Sequence, residues 1–87
     1  MSHERKKKDG QDKGKKLRRM REAAMLERIR AGDRTIAAIV ARIYAAVDPR
    51  LHGAAALSTL AHVEHLVEQG KVATDGDITL ESEYFPV

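Results

Sequence analysis

The chain has no cysteine and no tryptophan, and aromatic residues make up only 3% of it. Without thiols, neither a disulfide nor a thiolate metal site can form. So few rings leave little on which unpaired bases could stack. No apolar run approaches the roughly 20 residues that a bilayer span needs. Nor does the start of the chain show the charged, apolar and small-residue succession of a secretory signal. A glycine-rich phosphate loop is also missing. The expectation is a soluble, cytoplasmic protein with no membrane partner. At 87 residues it makes one small domain with a modest core.

What is abundant is charge, unevenly spread. The net charge of +3 divides into +7 over residues 1–21 and −4 over residues 22–87. A basic arm of this kind either stays solvated and disordered or attracts nucleic acid without sequence preference. Residues 1–14, with Gly10, Gly14 and no apolar residue after Met1, read as a disordered basic leader.

Beyond the leader the apolar spacing is helical. A first helix is expected from about Lys15 to Ala31, with Leu17, Met20, Ala24, Met25, Leu26 and Ile29 as its apolar positions and Gly32 as its stop. Thr35 is a good N-cap for a second helix over Ile36–Ala46, and at helical spacing Ile36, Ile39, Val40, Ile43 and Val47 share one face, with Tyr44 at its edge. Asp48-Pro49 restarts the chain in a short helix, with Leu51 expected in the core. A third helix is expected over Gly53–Gln69, burying Ala56, Leu57, Leu60, Val63, Leu66 and Val67 and ending at Gly70. Glu64 falls within that arc and should be partly buried against an arginine, because a lone buried carboxylate is costly.

After Gly70 the period changes. Val72 and Ile78–Glu81 read as short strands joined at Asp75-Gly76, with Val72, Ile78 and Leu80 lying over the first and third helices. Tyr84, Phe85 and Val87 make an apolar tail, either folded back or free. The expected fold is therefore α+β and mainly α: a winged helix, in which a three-helix bundle carries a C-terminal two-stranded hairpin wing. The domain spans residues 15–81, with a tail at 82–87.

Candidate chemistry is sparse. His62 and His65 are neighbours on one helix surface and Glu68 or His52 could join them, but a metal site needs three or four ligands, and no metal or cofactor is expected. Ser58 and His62, at i and i+4, lack a third group and an oxyanion pocket, so no catalytic residue is assigned. As a DNA reader, the third helix offers Gln69 alone, and the wing would bring Asp75 and Asp77 towards phosphates. Phosphate contacts would have to come from Lys15, Lys16, Arg18, Arg19, Arg21, Arg34 and Arg50. The outer faces of the second and third helices are rich in alanine, which either lets a partner approach closely or merely supports the helix. The candidate protein-docking face is Ala38, Ala41, Arg42, Ala45, Ala55, Ser58 and His62.

Arg21-Glu22 with the apolar pattern to Gly32, then Val40, Tyr44, Leu51, the alanine run, Ala61-His62 and Leu66-x-x-x-Gly70-x-Val72 follow one another in a recognisable order. This succession resembles the winged-helix domain that closes many metallo-β-lactamase-fold hydrolases. The metal-binding His-x-His-x-Asp-His motif of those hydrolases has no counterpart here, Gly53 stands where such domains often have proline, and Val63 replaces a more usual leucine. The resemblance implies a non-catalytic accessory module that packs beside a hydrolase domain and shapes its substrate groove. The alternatives are a small DNA-binding regulator and a homodimer held by the alanine faces.

Overall fold

The computed structural model describes the backbone of residues 2–87 and the side chains of residues 14–87. Helix α1 spans Ser2–Arg30, α2 Ile36–Ile43 and α3 His52–Glu68, with a 3-10 turn at Pro49–Leu51 leading into α3. Two short strands, β1 (Val72–Ala73) and β2 (Phe85–Pro86), pair antiparallel, Val72 opposite Pro86 and Ala73 opposite Phe85. This is the winged-helix layout. Among the described residues no helix is long and apolar enough to cross a membrane.

Helix α1 begins well ahead of Lys15, where the sequence pattern placed its start. The leader expected to be disordered over residues 1–14 falls, Gly14 apart, outside the described side chains. From Ser2 onward its backbone belongs to α1, in keeping with the helix propensity of Lys, Arg, Gln and Glu.

The helix ends follow local chemistry. The Thr35 hydroxyl accepts from the Ala38 amide at 3.2 Å and caps α2. At the end of α1 the Gly32 and Asp33 amides donate to the carbonyls of Ile29 and Arg28; at the end of α3 those of Gly70 and Lys71 donate to Val67 and Leu66. Both are Schellman closures, and both glycines have positive φ, 118° and 74°. Helix α2 stops at Ile43, short of the expected Ala46. There the His52 ring lies 3.1 and 3.0 Å from the Tyr44 and Val47 carbonyl oxygens and donates to them, holding the turn in which the Val47 amide also bonds the Tyr44 carbonyl.

The core gathers Met25, Leu26 and Ile29 from α1, Ile36, Ile39 and Val40 from α2, and Val63 and Leu66 from α3, closed by Val72 and Tyr84. The buried face of α3 is centred on Thr59, Val63 and Leu66, one turn apart along one stripe. That centring corrects two expectations. Leu57, two residues before Thr59 and so across the helix, is 61% exposed, and Glu64 is exposed with no ion pair among the described residues. Leu51 is also exposed, since the 3-10 turn faces it outwards while His52 turns in.

The wing pairs differently from expectation. No strand forms over Ile78–Glu81. Instead the Thr79 and Ser82 side chains close a turn of their own: the Thr79 amide donates to Ser82 Oγ, and the Ser82 amide to Thr79 Oγ1. Such bonds compete with a strand ladder. The chain reaches β1 only at Phe85, after Tyr84 has entered the core, so the tail is packed and supplies the second strand. Ile78 packs against the core as expected, and Leu80 is exposed.

Candidate functional site

The polar centre of the molecule lies on the seam between α1 and α3. Glu22 follows the buried stripe of α1, being three, four and seven residues before Met25, Leu26 and Ile29, and is only 6% exposed. Facing it on α3 are His62 and His65, brought side by side by their i, i+3 spacing. His62 Nδ1 lies 3.0 Å from one Glu22 oxygen and His65 Nδ1 lies 2.9 Å from the other. Burial raises the Glu22 carboxyl. Hydrogen bonds from His62 and His65, with the attraction that either ring exerts in its protonated form, outweigh burial and hold it below its ordinary 4.5. An ionised carboxylate only accepts, so both Nδ1 atoms carry the hydrogen and each ring keeps Nε2 for other partners.

Glu22 escaped the sequence reading because its partners lie on another helix. A carboxylate on the same stripe as Met25, Leu26 and Ile29, with a His-x-x-His pair elsewhere, was the available clue. The two histidines are drawn to α1, not to Glu68 or His52; His52 is bound to the end of α2. Among the described residues no group of three or more His, Asp or Glu side chains could hold a metal ion.

Glu22 does supply His62 with the third group that the Ser58–His62 pair lacked. Yet Ser58 is exposed and shares no hydrogen bond with His62 among the described residues, and its helical backbone is engaged in α3. Nothing there would stabilise an oxyanion.

The candidate docking face divides. Ala41, Arg42 and Ala45 are exposed on α2 and just beyond it, and Ala38 is half-buried. On α3, Ser58 is exposed, Ala55 packs against the core, and His62 is committed to Glu22 on the α1 flank.

The candidate nucleic-acid contacts divide too. Arg34 is structural: it donates to the Ile29 carbonyl at 2.6 Å and lies over the Phe85 ring, while its own carbonyl accepts from the Tyr84 amide. Arg50 grips Asp48 in a two-pronged pair, and Arg21 donates to the Tyr44 hydroxyl at 2.6 Å. Lys15, Lys16, Arg18 and Arg19 stand exposed on α1.

An apolar groove opens between α1 and the end of α2. Leu17, Met20, Ala24, Ile43, Tyr44 and Val47 line its volume of about 440 Å³. Leu17 and Met20, expected in the core, are 61% and 60% exposed, because α1 runs past the end of the bundle there.

A family model described as the beta-lactamase associated winged helix domain matches residues 35–81, over half of the chain. No curated protein and no solved structure matches it.

Proposed function

The chain belongs to the beta-lactamase associated winged helix domain family, and from that premise we propose that it is a docking module without catalysis of its own. It packs beside a metallo-β-lactamase-fold hydrolase domain and shapes the substrate groove of that partner. The groove between α1 and α2 carries this reading. A core this small has few apolar side chains to spare, yet Leu17 and Met20 are left outside it, beside Ile43, Tyr44 and Val47. Covering what remains exposed of two such side chains would contribute about 1–2 kcal/mol each. Next to the groove in the chain lie Ala41, Arg42 and Ala45, small exposed positions and one charge, which allow a partner surface close approach.

A DNA-reading role through α3 and the wing fits less well. The wing turn carries Asp75 and Asp77, with Glu81 and Glu83 following, all exposed. Four carboxylates would meet the phosphates that a wing usually grips.

Sedimentation velocity tests the reading. The chain is run alone and then mixed with a metallo-β-lactamase-fold catalytic domain from the same source. A complex with the catalytic domain is expected, and Met20→Glu should abolish it. Ala41→Glu shows whether the contact extends along α2. A complex that survives Met20→Glu intact removes the groove from the interface, and absence of any complex overturns the reading. Self-association of the chain alone would favour a homodimer instead.

A further inference from the structure

Two adjoining hollows follow the α1–α3 seam above Glu22. One, of about 260 Å³, is walled by Lys15, Arg18, Arg19, His65 and Gln69. The other, of about 290 Å³, is walled by Arg18, Ala61, His62 and His65. Glu22 lines both and, among the described residues, is the sole anionic side chain in either wall. Each of its oxygens is already engaged by one histidine. What remains to face the hollows is cationic, Lys15, Arg18 and Arg19 from α1, together with the second nitrogen of each imidazole.

The sign of the charge decides the ligand. A histidine that gives Nδ1–H to a carboxylate and keeps Nε2 open is the arrangement seen behind many metal ions. Here three cations within little more than one helical turn border the same space, and they would repel a metal ion. They also repel one another, Lys15 standing at helical spacing from both Arg18 and Arg19. All three are exposed and lie before the core stripe of α1, so packing does not require them. An anion would relieve the repulsion. Donors arriving from two helices suit a tetrahedral oxyanion, and arginine forks match phosphate oxygens.

We propose that the α1–α3 seam over Glu22, His62 and His65 is a binding site for a phosphate group, either free or within a phosphodiester chain. Lys15, Arg18 and Arg19 supply charge, and the histidines donate from Nε2. A ring whose Nδ1–H is given to Glu22 has only a lone pair on Nε2, so each histidine that bonds the phosphate takes up one proton as it does so. Among the described residues the charged groups that face the two rings are Glu22, Lys15, Arg18 and Arg19 from α1. Glu22 is a positioning residue: it fixes both rings and balances the added charge.

The test is a titration of the full chain with inorganic phosphate at constant ionic strength, read from the imidazole nitrogens by NMR. Saturable movement of the His62 and His65 nitrogens towards the imidazolium form is expected, with His52, held at the far end of α2, unmoved. The double variant Arg18→Gln/Arg19→Gln should weaken binding at least about tenfold, since hydrogen bonds to charged groups contribute about 1.5–3 kcal/mol. A single-stranded oligonucleotide that binds more tightly than inorganic phosphate assigns the site to a phosphodiester; the reverse order assigns it to a free phosphate. Three results would each overturn the proposal: no saturable shift, a titration unchanged in the double variant, or zinc saturating His62 and His65 at lower concentration than phosphate.

Discussion

Glu22 and His62, 40 residues apart in the chain, meet at 3.0 Å across the α1–α3 seam, with His65 on the other carboxylate oxygen. The pair ties the stability of the bundle to pH. The folded carboxyl lies below its ordinary 4.5, so the unfolded chain protonates first as pH falls. The stabilisation is therefore fully present above pH 4.5 and is lost as pH drops below it, through the folded value. Urea midpoints measured from pH 7 to pH 3 should fall over that window. In Glu22→Ala the fall should be shallower. At pH 7 that variant should be less stable by about 1–3 kcal/mol, because two ring N–H groups lose their acceptor.

The contrast between what was legible in the sequence and what was not follows from distance along the chain. Gly32, Thr35 and Gly70 announce their roles because a cap is made by residues within one turn. Apolar periodicity finds the core stripe of α1 from Met25 to Ile29, but it cannot show where the neighbouring helices end, so Leu17 and Met20 looked like core residues and are not. For α3, a broad apolar arc concealed its true centre at Thr59, a residue that hydropathy alone would leave outside. The wing strand moved from Ile78–Glu81 to Phe85–Pro86 because hydroxyl bonds at Thr79 and Ser82 and the burial of Tyr84 outweighed the Asp75-Gly76 turn. Neither half of the Glu22–histidine cluster predicts the other without the fold.

Tyr84 makes the tail part of the domain. It is wholly buried, and its hydroxyl donates to the Thr79 carbonyl at 2.7 Å. Tyr84→Phe should cost about 1 kcal/mol, the worth of that bond. Tyr84→Ala should cost about 3–5 kcal/mol, as for other buried rings, and largely unfold so small a domain. Burial raises the hydroxyl above its ordinary 10.0, and the neighbouring Ser82 and Thr79 only partly offset it. A raised folded value means that this contribution is intact below pH 10 and is lost as pH rises above 10 through the folded value. Alkaline titration followed in parallel by tyrosine absorbance at 295 nm and by far-UV circular dichroism should show ionisation of the buried ring and loss of helix together.

Thr59 lies at the centre of the α3 interface, wholly buried, and its hydroxyl has no hydrogen-bond partner among the described residues. A buried hydroxyl without a partner keeps its desolvation cost and gains nothing in return. Valine has nearly the same shape and a similar helix propensity. Thr59→Val should therefore stabilise the fold by about 1 kcal/mol, read as a higher urea midpoint with an unchanged slope. A lower midpoint would mean that the hydroxyl has a partner in solution.

Gly53 and Gly70 bracket α3, and the same substitution should act on them with opposite sign. At both, a new Cβ would meet no atom within 4 Å, so side-chain crowding decides nothing. Gly53 sits in the first turn of the helix with ordinary helical backbone. Gly53→Ala removes unfolded-state freedom and should stabilise by about 0.4–1 kcal/mol. Gly70 has φ of 74°, where an L residue is strained, and its amide closes the Schellman motif onto Val67. Gly70→Ala should destabilise by about 1–2 kcal/mol. Gly70→Asn should recover part of that loss, because asparagine tolerates the left-handed region better. If Gly53→Ala and Gly70→Ala shifted the urea midpoint in the same direction, backbone conformation would not be what sets the end of α3.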